Sequence, residues 1–243
     1  MRYLILSDIH SNLIALKEVL KKAKRIGYDE IICLGDFVGY YTSPNEVIEE
    51  LKDKLKIAIL GNHDYGILHP QSITAYFNEI ARDALFYNIR FLSKDSLEFL
   101  KKLPLTSEVD DYLFVHGTPT EPEEFNYIYS SSHAAREIRL TLNQVIFVGH
   151  THIPVIFEYN EEKDRITMLG NTVRLEKGLR YLINPGSVGQ PRDGSPEASF
   201  GIIETDEGVY RNYRVEYDID SVAADVIKAG LNPLLAERLY DGF

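Results

Sequence analysis

Five of the seven histidines, His10, His63, His116, His150 and His152, stand at the ends of short apolar runs. Asp8, Asp36, Asn62 and Asp64 stand at the same places. These side chains can offer lone pairs or move protons. They are oxygen and imidazole donors without a thiolate, because the single cysteine, Cys33, lies inside an apolar run and reads as core. Such a set suits Mn, Fe, Co, Ni or Zn rather than a cysteine-held structural zinc. One ion needs fewer donors than this, and the natural reading is two ions bridged by Asp36. Two ions ~3.5–4 Å apart clamp the attacking and leaving oxygens in phosphoryl transfer. Spacing adds direction. Asp8 and His10 are two residues apart, as are His150 and His152, so in extended chain each pair points one way. Asn62 and His63 are adjacent and should diverge, so one can hold a metal while the other faces substrate.

Strands must carry these residues. Six apolar runs do so: Tyr3–Leu6, Ile31–Leu34, Ile57–Leu60, Tyr112–Val115, Val145–Val148 and Tyr181–Ile183. Runs this short, rich in β-branched residues, predict fully buried strands. In open α/β sheets ligands bind beyond the carboxyl ends of the strands, so neighbouring strands would bring all nine polar residues to one rim. Between them, Asn12 caps an amphipathic helix through Ala23 whose lysines, Lys17, Lys21, Lys22 and Lys24, read as a solvated face. Pro44 to Lys54 predicts a second helix, capped by Ser43. Residues 73–102 predict two helices divided near Ser93, with Pro104 beyond. Another helix runs from Ser131 or Ser132 to Leu140. After Pro154 the texture turns to strands over 155–159, 165–168, 172–175, 181–183, 199–204 and 209–217, with a hairpin turn at Asp206-Glu207-Gly208. A last helix starts at Asp218 or Asp220 and stops near Gly230. The expectation is a single domain over 1–243, with a helical segment at about 70–103 and a C-terminal helix at about 218–230. Its class is α/β (α+β), two packed sheets with helices outside.

Composition narrows the partners. The 243 residues carry 26 basic and 37 acidic side chains, a net charge of −11. An extended nucleic-acid surface would need a basic footprint and is not expected. An anionic small substrate remains compatible, because divalent cations invert the local sign of a site. No apolar run approaches the ~18–20 residues that span a bilayer, so no membrane partner is expected. The start turns polar too soon for a signal peptide, and one cysteine forms no internal disulfide, which points to the cytoplasm. An oligomer is compatible with all of this.

The ordered motifs go further. Asp8-x-His10, Gly35-Asp36, Gly61-Asn62-His63-Asp64, a His at 116 and Gly149-His150-Thr151-His152 resemble the calcineurin-like metallophosphoesterase superfamily. Ser7–Leu13, Gly35–Tyr40, Pro44–Val47 and Asn184–Gly194 are similar to a prokaryotic phosphodiesterase branch that includes diadenosine tetraphosphatase-like proteins. The resemblance implies a four-layer α-β-β-α sandwich of two mixed sheets. It implies that Asp8, His10, Asp36 and His152 hold one divalent metal, and that Asp36, Asn62, His116 and His150 hold the other. It further implies that His63 faces the leaving group, with Asp64 orienting its ring. Tyr41 departs from the branch, where a glycine commonly follows the tyrosine.

The function this suggests is a dinuclear phosphoesterase, foremost a phosphodiesterase on a small nucleotide-like phosphodiester or phosphoanhydride. A hydroxide between the ions would attack in line, with Asn62 stabilising the developing charge and His63 donating a proton. A phosphomonoesterase or protein phosphatase is the alternative; a non-catalytic scaffold of the same fold would be expected to lose metal ligands. Arg192 is read as a substrate contact, since its fork suits a phosphate oxygen, against the alternative of a plain loop. Tyr40, Tyr41, Tyr65 and Tyr127 could stack a base or simply pack. His69 and His133 have no supporting neighbours and read as structural.

Overall fold

The computed structural model describes residues 1–243. Its strands are β1 Arg2–Leu6, β2 Glu30–Cys33, β3 Leu55–Ala58, β4 Thr106–Val109, β5 Tyr112–Val115, β6 Val145–Phe147, β7 Val155–Asn160, β8 Arg165–Leu169, β9 Thr172–Arg174, β10 Leu179–Asn184, β11 Ala198–Glu204 and β12 Val209–Val215. Its helices are α1 Leu13–Ile26, α2 Pro44–Leu51, α3 Asn62–Leu68, α4 Pro70–Tyr76, α5 Glu79–Phe91, α6 Lys94–Leu100, α7 Ser131–Leu140, α8 Ile219–Lys228 and α9 Leu234–Asp241. They form two mixed six-stranded sheets, ordered β3-β2-β1-β11-β12-β9 and β4-β5-β6-β10-β7-β8. β1, β2 and β3 run parallel, as do β5, β6 and β10, and the remaining pairs are antiparallel.

Burial on both faces explains the uninterrupted apolar runs. In β1, Tyr3 and Ile5 turn towards the second sheet, where they join Phe114, Phe147, Ile183 and Tyr210 in the core between the sheets. Leu4 and Leu6 turn the other way, onto Leu16, Val19 and Ala23 of α1 and Val47 and Ile48 of α2. The second sheet repeats this arrangement. Leu113, Val115, Ile146 and Leu182 face outward and are covered by Ala134 and Ile138 of α7. The four-layer α-β-β-α sandwich follows from these alternations.

Local chemistry sets the helix boundaries. Asn12 caps α1 by accepting from the Ala15 N–H, and Gly27 ends it at a φ of 98°. Ser43 precedes α2 but makes no side-chain cap. Where two helices are predicted over 73–102, the chain forms three. Pro70 opens α4, Asn78 caps α5 through the Ala81 N–H, and Ser93 caps α6 through the Ser96 N–H. Apolar periodicity continues across such breaks and so does not show them. The run expected as a strand over 57–60 pairs only over Leu55–Ala58, and Asn62 then opens α3 directly. Three elements were not foreseen, α3, β4 and α9. Packing explains α9: Leu235 and Leu239 close with Val222 and Val226 of α8 over Tyr40 and Tyr41. No helix is long and apolar enough to cross a membrane.

Phe114 and Phe147 stack in the middle layer with centroids 5.5 Å apart, and both are fully buried. Phe147→Ala is expected to cost ~3–5 kcal/mol. Leu142→Ala, at a side chain 95% exposed, should stay within ~0.5 kcal/mol of wild type. Denaturant titration of the two variants checks the assignment of the inter-sheet core.

Candidate metal centre

The loops after β1, β2, β5 and β6 meet on one rim and are laced together by backbone bonds. The Asp36 carbonyl accepts from the N–H groups of both Ile9 and His10, at 2.9 Å each. The loop after β10 backs them. Val188 and Gly189 donate to the carbonyls of Ser7 and Asp8, and the Ser187 hydroxyl donates to the Asp8 carbonyl at 2.7 Å. Gly189 is required here, because a Cβ would lie 1.9 Å from the Ile9 oxygen. The residues converge differently from the expectation of extended pairs. Asp8, His10, Asp36, His150 and His152 all have left-handed φ values, 53°, 51°, 55°, 67° and 62°. Sharp turns, not the strand pleat, aim these side chains together. Left-handed backbone disfavours L-residues by roughly 1–2 kcal/mol each, and such strain gathers at functional sites. Glycine would relieve it but carries no donor.

Two groups of buried donors result. Ligand atoms of Asp8, His10, Asp36 and His152 lie within 4.8 Å of one another, as do those of Asp36, His116 and His150. His10 Nδ1 donates to the Val38 carbonyl (3.0 Å), His116 Nδ1 to that of Leu34 (2.6 Å) and His152 Nδ1 to that of Gln190 (2.6 Å). In the neutral ring each bond puts the proton on Nδ1 and leaves Nε2 as a lone pair. Those lone pairs face other acceptors. His10 Nε2 lies 3.0 Å from His152 Nε2, and His116 Nε2 lies 3.2 Å from Asn62 Oδ1 and 3.4 Å from Asp36 Oδ2. Asp36 Oδ1 accepts from the His63 N–H at 2.8 Å, whereas Asp36 Oδ2 is buried with no hydrogen-bond partner. Lone pairs set against lone pairs around an orphaned carboxylate oxygen require a cation. The donor set therefore fits a divalent metal, and Asp36 belongs to both groups.

The electrostatics agree. Burial pushes the imidazoles of His10, His150 and His152 well below their usual range, so they are neutral ligands. Burial pushes Asp8 up to about 6. Burial alone would raise Asp36, but the neighbouring imidazoles, His116 foremost, outweigh it and hold that carboxyl well below the usual range. Burial alone would likewise lower His116, yet the Asp36 and Asp8 charges raise it to about 9. A proton on His116 thus takes the place of a cation among these acids.

The remaining site residues divide. His63 sits on the rim in the first turn of α3, not at a strand end. Its divergence from Asn62 is the turn of a helix rather than the pleat of a strand. Its ring touches those of His10, Tyr40 and Phe77, and its Nδ1 is buried without a partner. Gly39, at a φ of 101°, makes room for it, since a Cβ there would lie 2.2 Å from Nδ1. Asp64 does not orient this ring, as the resemblance had implied. Its carboxylate accepts instead from the N–H groups of Gly61 (3.1 Å) and Val38 (3.2 Å), because the side chain of the third residue of a helix is placed to reach back to the N-cap N–H. Burial and the Asp36 charge push Asp64 up to about 8. Arg192 reaches the rim, donating to Gln190 Oε1 (2.8 Å) and to the Tyr40 hydroxyl (3.1 Å), with no carboxylate partner. Tyr41 is core: its hydroxyl donates to the Leu235 carbonyl and accepts from Gln190 Nε2, tying the Asp36 loop to α9. His69 caps nothing with its side chain and packs against Tyr65 with the two rings tilted by 35°. The structural roles of Gln190, Ser187 and Asn88 escaped the sequence reading. Asn88 accepts from Ser11 and Gly39 and donates to the Tyr41 carbonyl.

Beside Asn62 and His150 lies a cleft of about 460 Å³, walled by Tyr65, Tyr76, Phe77, Phe125 and Tyr127 and containing no lysine or arginine.

Comparison with known proteins agrees with this geometry. Residues 1–208 match the calcineurin-like phosphoesterase superfamily domain. An uncharacterized protein of Methanocaldococcus jannaschii is 38% identical over 242 residues, covering 98% of this chain and 97% of that protein. The crystal structure of a metallophosphoesterase from Sphaerobacter thermophilus covers both chains completely at 37% identity, with a TM-score of 0.88. The phosphodiesterase YfcE of Escherichia coli is 27% identical over 218 residues, 85% of this chain and 89% of that one. With two six-stranded sheets presenting two buried donor groups on one rim, the chain belongs to the calcineurin-like phosphoesterase superfamily.

Proposed function

We propose that the chain acts, as one metallophosphoesterase domain in the cytoplasm, as a dinuclear metal-dependent phosphodiesterase on small nucleotide-like phosphodiesters or phosphoanhydrides. The observation that carries this reading is Asp36, whose buried Oδ2 has no hydrogen-bond partner and which belongs to both donor groups. Asp8, His10, Asp36 and His152 would hold one ion, and Asp36, Asn62, His116 and His150 the other. Bound divalent ions supply Lewis acidity, which lowers the pKa of an attacking water and neutralises charge on phosphate oxygens.

The chain's own residues do the rest. Arg192 offers unpaired guanidinium N–H groups to a non-bridging phosphate oxygen. Asn62 stands at the junction of the second donor group and the cleft. His63 faces the leaving group and donates its proton. Burial holds the free His63 imidazole down at about 4, so it is neutral at pH 7; the negative phosphodiester seated against the ring opposes that burial and loads the proton. The cleft favours a diester, because a wall without lysine or arginine suits a neutral flat substituent better than a polyphosphate chain.

Metal-loaded wild type is expected to saturate at two ions per chain. Asp36→Ala should lose both, and Asp8→Ala should mainly weaken one. Elemental analysis after loading reads this directly, and saturation at a single ion overturns the dinuclear reading. Chelation should lower the melting temperature while leaving a cooperative transition, because Asp8 and Asp36 repel without cations but the sandwich cores persist. His63→Ala should keep both metals and lose ~10²–10⁴-fold of the rate on an alkyl or nucleoside diester. The loss should be far smaller on a nitrophenyl diester, whose phenolate departs unaided. Equal losses at matched metal content would argue against proton donation.

A further inference from the structure

Three of the four candidate imidazole ligands are fixed by an Nδ1–H bond to a backbone carbonyl, those of Val38, Leu34 and Gln190. His150 is the exception. Its backbone N–H donates to Asp8 at 3.2 Å, but its ring makes no hydrogen bond. An imidazole held only through its Cβ has a broad, roughly two-fold choice of ring angle. Something else must set the plane of His150.

Tyr127 does so. Its ring lies 3.7 Å from that of His150 at an angle of 15°, face to face, and Tyr129 stacks on Tyr127 at 4.8 Å and 15°. The segment carrying Tyr127 is pinned on both sides. Phe125, at a φ of 50°, rests its backbone against Gly117, where a Cβ would come within 2.9 Å of the Phe125 Cα. Ile128 is buried in the outer core of the second sheet with Ile138 and Phe157. The backbone that carries the tyrosine is therefore held in place. We infer that Tyr127 is a positioning residue for His150, replacing with an aromatic stack the carbonyl bond that orients the other three ligands, and that it sets the affinity of the second metal position alone. The inference rests on the dinuclear reading above. The same ring lines the cleft, as does His150 itself.

The test is isothermal titration of metal-free protein with Mn²⁺, comparing wild type with Tyr127→Leu, Tyr127→Phe and Tyr129→Leu. Loss of an orienting partner typically weakens metal binding ~10–100-fold. Tyr127→Leu is expected to weaken the second ion by that factor and leave the first unchanged. Tyr127→Phe, which keeps the ring, should match wild type, and Tyr129→Leu, which removes only the backing ring, should fall between. If Tyr127→Leu does not fold, the last two variants still decide. The inference is overturned if Tyr127→Leu binds both ions normally, if both ions weaken alike, if Tyr127→Phe loses the second ion, or if Tyr129→Leu leaves it untouched. A wild type that binds only one ion overturns the dinuclear reading together with this inference, whereas two ions bound with the same affinities in wild type and Tyr127→Leu overturn this inference alone.

Discussion

The structure is organised around the placement of one carboxylate. Asp36 Oδ1 takes the His63 N–H and so fixes the first turn of α3. Its main-chain oxygen takes two N–H groups from the Asp8–His10 turn. Its Oδ2 is left for the space between the donor groups. A Cβ on Gly61 would lie 2.1 Å from Oδ1, and a Cβ on Gly35 would lie 2.5 Å from the Gly61 nitrogen. These two glycines are therefore part of the Asp36 placement, as the room that lets three chain segments meet at one side chain. Moving Asp36 would displace the β1 turn, the β2 turn and α3 together.

This placement opposes folding. Five candidate ligands sit in left-handed backbone, and two buried carboxylates, Asp8 and Asp36, bring ligand oxygens within 4.8 Å of each other. The fold offsets the cost with ordinary means: continuous apolar strands buried on both faces, Asn caps on α1 and α5, and a third core in which α8 and α9 cover the Tyr40–Tyr41 turn. Tyr41 shows the connection at one residue. It stands where the family branch commonly has glycine, and its ring joins the Asp36 loop to the C-terminal helices through Leu235 and Gln190.

Much of the frame was legible because chemistry and position coincide in sequence. Apolar runs ending in Gly-Asp, Gly-Asn-His-Asp or Gly-His-Thr-His announce both the strand and the donor after it. The turn geometry was not legible. Spacing of two residues suggests extended chain, but Asp8 and His10 converge through positive φ, which no side-chain pattern records. Asp64 shows the same limit. As the third residue of α3 its carboxylate serves the helix start, and sequence proximity to His63 said nothing of that competition. Long-range support was also hidden. Asn88 lies in the middle of α5, and only tertiary packing brings it to Ser11, Gly39 and Tyr41. The break between α4 and α5 was missed because apolar periodicity does not report caps.

Both donor groups draw on both sheets. Asp8, His10 and Asp36 follow β1 and β2 of the first sheet, whereas His116, His150 and His152 follow β5 and β6 of the second. Neither sheet alone assembles a complete group. The distance between the two halves of the centre is therefore set by the packed layer between the sheets, where Ile5, Ile32, Phe114 and Phe147 interdigitate. Close-packed interiors transmit changes in volume rather than absorbing them. Hydrophobic residues far from the rim thus act on the donor geometry through the spacing of two rigid layers. The loop after β10 locks that spacing at the rim itself. Leaving the second sheet, it binds the Asp8 turn of the first through Ser187, Val188 and Gly189, and then supplies the Gln190 carbonyl that orients His152. One segment thereby ties a ligand from each sheet to the same backbone, which is why the Asn184–Gln190 motif matters to the centre although none of its side chains belongs to either donor group.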